Sequence, residues 1–115
     1  MSFNGPSGIA LDSKKGVLYI AEETSCSLRR VNTSNGATAV LSGTPGVCGY
    51  ADGALLSAQF NVPCGLALDG ASGLLYVGDF ANNRIRVVQL LSGLVDTLAG
   101  TGMAAPPWMA RVAAA

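Results

Sequence analysis

One segment of this chain occurs twice. Residues 60–88, FNVPCGLALDGASGLLYVGDFANNRIRVV, repeat the grammar of residues 3–31, FNGPSGIALDSKKGVLYIAEETSCSLRRV, at a constant offset of 57 with no gap. A fixed internal period of this order belongs to architectures whose units bury apolar surface against neighbouring units.

Within each copy, short apolar runs alternate with turn residues. In the first, residues 8–12 read as a strand ended by Asp12, and Ser13, Lys14, Lys15 and Gly16 as a polar hairpin turn. Residues 17–21 form a second run, rich in β-branched and aromatic side chains. A polar loop at 22–27 leads to a third strand at 28–32, and Asn35-Gly36 is a type I′ hairpin signal before a fourth at 37–41. The second copy places strands at 65–69, 73–77, 84–88 and 94–100, with Ser92-Gly93 at the turn held earlier by Asn35-Gly36.

The expected fold is therefore all-β, two four-stranded antiparallel meanders. Ile9, Ala10 and Leu11 are apolar in succession, as are Val17 and Leu18, so both faces of each sheet require cover. A single sheet cannot supply it, and one copy must stack on the other.

The chain divides into a first unit at 3–43, a connector at 44–59, a second unit at 60–102 and an irregular tail at 103–115. The connector is Gly-rich at its start and amphipathic near its end, which predicts one helical turn near Leu55 to Gln59. The tail, with Pro106-Pro107 and an Ala-rich end, reads as a frayed terminus, the alternative being a docked helix anchored by Trp108.

Seven basic residues balance seven acidic ones, which argues against a nucleic-acid surface built on phosphate neutralisation. Lys14–Lys15, Arg29–Arg30 and Arg84/Arg86 are the local positive charge, and Lys14–Lys15 with Arg84/Arg86 read as a solvated face with ion pairs. No apolar run approaches the roughly 20 residues of a membrane-spanning helix. Cys26, Cys48 and Cys64 form no CxxC pattern and read as three thiols, with a single bridge of any pairing as the alternative.

The motifs FNVPCGLALD at 60–69, GLLYVGD at 73–79, NNRIR at 82–86 and TLAG at 97–100 resemble the NHL repeat family. That resemblance covers residues 3 to about 102 and implies two consecutive blades of a β-propeller, from a ring of the six-bladed kind. The first copy departs from the pattern at 22–27, EETSCS, where the second has DFANNR, so its loop is expected to be the more irregular. In the same frame Phe3 and Phe60 are expected to fill the gap between blades, and Gly8 and Gly65 to begin the innermost strands.

The chain contains no histidine, which removes Ser-His-Asp, Cys-His and histidine-ligated metal arrangements from this segment. Asp12, Asp69, Asp79 and Asn82 sit where a side chain supports a turn by accepting backbone N–H bonds. No catalytic, cofactor or metal residue is assigned, and no cofactor is expected. The expected function is a non-catalytic interaction scaffold presenting loops to a protein or other ligand; the alternative is a propeller enzyme of lyase or hydrolase type whose catalytic residues lie on other blades. The candidate interaction loops carry Glu22, Glu23, Tyr50, Asp52, Phe80, Asn82 and Asn83. Uncovered blade faces further imply self-association or additional blades in a longer chain.

Overall fold

The computed structural model describes residues 2–101; the tail at 103–115 lies outside them. The first sheet runs β1 (Pro6–Asp12), β2 (Val17–Glu22), β3 (Ser27–Asn32) and β4 (Thr38–Ser42), in that spatial order. The second contains β5 (Gly53–Ala54), β6 (Pro63–Asp69), β7 (Leu74–Asp79), β8 (Arg84–Gln89) and β9 (Leu94–Ala99), ordered β5-β9-β8-β7-β6. Every neighbouring pair is antiparallel. The chain is thus two propeller blades, with β1 and β6 as their facing inner strands.

The repetition extends to irregularities. The ladder shifts between Pro6 and Gly8 in the first blade and between Pro63 and Gly65 in the second. It shifts again between Leu28 and Arg29, and between Ile85 and Arg86. Asp12 and Asp69 accept turn N–H groups from Lys15 and Ser72, as their positions before the hairpins predict.

The second sheet gains a fifth strand that its sequence does not announce. β5 comes from the connector and pairs Gly53 with Val95 and Ala54 with Leu94, covering the outer edge of β9. Two residues with little β propensity form a strand here because that edge offers unpaired backbone groups. The helical turn expected near residues 55–59 is reduced to one hydrogen-bonded turn, in which the Ala54 carbonyl accepts the N–H groups of Ser57 and Ala58.

The core lies between the blades. Tyr19, Ala21 and Leu28 from the first blade and Leu75, Val77 and Val88 from the second join one buried cluster. Phe60 is fully buried in it, as expected of a gap-filling residue, whereas Phe3 is exposed and lies against Arg29. Gly8 is required by this stacking: a Cβ there would stand 1.8 Å from the Cys64 carbonyl oxygen. Among the described residues no helix is long and apolar enough to cross a membrane.

Candidate functional site

The candidate loops gather where the second strand of each blade turns into the third. In the second blade a 3-10 turn at Phe80–Asn82 makes this connection and ends at Asn83, whose φ of 52° is left-handed. Asn is among the residues that tolerate that conformation. Phe80 and Ala81 donate backbone hydrogen bonds to the Val62 and Asn61 carbonyls. The turn is therefore fixed to the entry of β6, and Phe80 projects from it with 69% of its surface exposed.

Beneath the turn lies a buried ion-pair network centred on Arg86. Its Nη1 donates to Asp79 at 2.7 Å and to the Gln59 carbonyl at 2.8 Å. Nη2 donates to the Ala51 carbonyl at 2.7 Å and to Asp52 at 2.8 Å, and Nε to Asp52 at 3.2 Å. All five guanidinium N–H groups thus have acceptors, the condition under which a buried cation is tolerated. The rings of Tyr50 and Phe60 lie 4.8 Å and 4.9 Å from its central carbon.

The network ties connector to blade. Asp79 also accepts the Asn61 N–H at 2.8 Å and the Asn82 amide at 2.7 Å, while that amide reaches the Gly49 carbonyl at 2.9 Å. The Tyr50 hydroxyl lies 2.6 Å from that of Thr97, which donates to Asp52, and Arg84 stacks over the Tyr50 ring at 3.7 Å. Tyr50, Asp52, Phe80, Asn82 and Asn83 are therefore brought to one rigid edge of the second blade.

The first blade repeats the pattern with other residues. Glu22 occupies the place of Asp79 and Arg29 that of Arg86, and the two form a buried ion pair. Glu22 accepts the Asn4 N–H at 2.7 Å, the counterpart of the Asn61 bond to Asp79. Burial alone would push the Glu22 carboxyl up. The Asn4 N–H, the hydrogen bond and charge of Arg29, and the Ser25 hydroxyl outweigh it and hold the carboxyl below its ordinary value.

Two expectations are corrected here. Glu22 is buried rather than displayed, so only Glu23 and Thr24 of residues 22–27 reach the surface. The loop at 22–27 has no 3-10 turn and shares only one of its copy's backbone hydrogen bonds, Glu23 to the Gly5 carbonyl as Phe80 to that of Val62, although Cys26 adopts φ 57° beside 52° at Asn83. The reading of three thiols gives way to a Cys26–Cys48 disulfide with Cys64 free. Folding brings the connector across the loop and sets the two Cα atoms 5.2 Å apart, within bridging distance.

The expected solvated basic face is also divided. Lys14 and Lys15 are exposed and Arg84 is half-buried, but Arg86 is buried in ion pairs, as is Arg29 in the first blade. The sequence carried one signal for this: an acid and an arginine seven residues apart, Glu22 with Arg29 and Asp79 with Arg86, in both copies. Among the described residues no group of three or more His, Cys, Asp or Glu is placed to hold a metal ion.

Comparison with known proteins agrees with this geometry. Residues 60–88 match the NHL repeat model. The chain is 34% identical over 110 residues to NHL repeat-containing protein 2 of Gallus gallus, an alignment covering 89% of this chain and 15% of that protein. Among solved structures, a Bacteroides thetaiotaomicron protein of unknown function superimposes with a TM-score of 0.74 at 25% identity, covering 84% of this chain and 24% of that one. An auxiliary nutrient binding protein of the same organism gives 0.66 at 20% identity over 80% of this chain and 25% of its own. The chain thus spans a small part of each of these proteins. Residues 60–88 carry an NHL repeat, and the described residues fold as two adjacent β-propeller blades.

Proposed function

We propose that this chain contributes to an interaction scaffold, and that the loop edge formed by Tyr50, Asp52, Phe80, Asn82 and Asn83, with Glu23 on the first blade, receives a protein partner. The observation that carries the reading is Phe80. A large aromatic side chain that is 69% exposed has no packing role, yet its backbone is held by hydrogen bonds on both sides. An exposed aromatic on a preorganised turn loses little conformational freedom on binding and suits an interface anchor. Asn82 and Asp52 serve this edge indirectly, because both are engaged in holding the connector and the turn together.

The test is partner capture by the full-length protein with Phe80→Ala. Capture weakened about tenfold or more, with thermal stability unchanged, supports the reading; about 1.4 kcal/mol corresponds to that factor. Undiminished capture removes this loop from the function.

A further inference from the structure

The turn at Phe80–Asn82 is tied at both ends to the Cys26–Cys48 disulfide. At its start, the Phe80 N–H donates to the Val62 carbonyl at 3.2 Å, and the Val62 N–H donates in turn to Cys26 Sγ at 3.5 Å. At its end, the Asn82 amide donates at 2.9 Å to the carbonyl of Gly49, the residue after Cys48. The disulfide therefore closes a ring of contacts around the turn, from the first blade through the connector to the second. Backbone strain is gathered in the same place. Among the described residues, Cys26, Val62 and Asn83 are the non-glycine residues with left-handed backbone, at φ 57°, 56° and 52°. Asn tolerates that conformation and a β-branched valine does not; the counterpart of Val62 in the first blade is Gly5, at φ 71°. Such conformations persist only where surrounding contacts over-determine them.

We propose that the Cys26–Cys48 disulfide is a redox-sensitive clamp on this turn, which holds Phe80 in place when oxidised and frees it when reduced. The proposal rests on the loop-edge reading above for what the turn does, but not for how the turn is held. Cys48 is exposed and Cys26 is buried, so a dithiol reaches the bridge at Cys48. Its thiolate forms a bond to Cys48 Sγ, the S–S bond breaks, and the electron pair leaves on Cys26 Sγ. The Val62 N–H, already directed at that sulfur, favours the departing thiolate. The second sulfur of the dithiol then displaces Cys48, so the reductant ends as a disulfide and its two protons end on Cys26 and Cys48.

The fold outlasts this step. Without the bridge, the connector is still held by the Gly46 N–H on the Ser25 carbonyl, the Gly49 N–H on the Phe60 carbonyl and the Arg86 network. What is lost is local. Cys26 Sγ is no longer fixed against the Val62 N–H, so the valine relaxes from its left-handed conformation and its carbonyl turns away from Phe80. The Gly49 carbonyl loses its anchor one residue away, which loosens the Asn82 end as well.

Amide hydrogen exchange on the full-length protein tests the clamp without any partner. Oxidised protein, protein reduced with dithiothreitol and Cys48→Ser are compared. Reduction and Cys48→Ser are each expected to speed exchange at Phe80 and Ala81 by about tenfold or more beyond any change in β7 and β8. Reoxidation of wild type restores the slow rate, and Cys48→Ser does not respond to dithiothreitol. Exchange at residues 80–81 that stays slow without the bridge overturns the clamp. Acceleration there no larger than in β7 and β8 also overturns it, because the bridge then acts on global stability alone. So does a bridge that dithiothreitol leaves intact in the folded protein, or labelling of Cys26 and Cys48 as thiols in protein purified without reductant. If Phe80→Ala leaves partner capture undiminished, the loop-edge reading falls and the exchange rates still decide the clamp.

Discussion

Arg86 and Asp79 are the residues on which the second blade's loop edge depends. Both are fully buried, and each satisfies the other while also binding backbone from the connector or the β6 entry. Removing the guanidinium leaves the Asp79 carboxylate buried without its cation. Arg86→Ala is therefore expected to destabilise the chain by about 3–5 kcal/mol, read from urea unfolding midpoints. Arg86→Lys recovers only part of this, because an ammonium cannot supply five donors in a planar fork. The first-blade pair predicts a pH dependence. The folded pKa of Glu22 lies below its ordinary value of 4.5, so its contribution is present above that pH and is lost as pH falls through the folded value. Unfolding titrations over a pH series should show wild type losing stability in this acid range, with a shallower loss for Glu22→Gln. An identical slope for both would show that Glu22 does not carry the effect.

At the scale of elements, the strands and hairpins were legible because they depend on local chemistry. Apolar runs, Asn35-Gly36, and the carboxylates of Asp12 and Asp69 each act within a few residues of their own position. The connector was not legible, because what it does depends on what it crosses. β5 forms against the β9 edge, and Cys48 meets Cys26 over a separation of 22 residues. A bridge closing a loop of that size removes unfolded-state entropy worth about 3 kcal/mol in the chain-entropy model. Cys48→Ser, or reduction of wild type, is expected to lower the melting temperature by that equivalent. Reduction of the variant should then have no further effect. The loop at residues 22–27 departs from its copy in sequence and lacks its 3-10 turn, yet Cys26 and Asn83 take the same left-handed conformation.

At the scale of the whole molecule, stability rests on the contact between blades, because each sheet is apolar on both faces and shares one of them with its neighbour. Gly8→Ala tests this contact at its tightest point. The added methyl would lie 1.8 Å from a backbone oxygen, so the inner strands must separate. A loss of at least about 1–3 kcal/mol, the ordinary range for overpacking, is expected in thermal or denaturant unfolding. The sequence by itself determined the period, the antiparallel meander and the need for each sheet to have a neighbour, because repetition and alternation are properties of chain order. Tertiary structure alone decided which charges are buried, which cysteines pair and where the connector lies. Burial, bridging distance and a shared sheet edge are relations between residues far apart in sequence, and they exist only once the two blades have stacked.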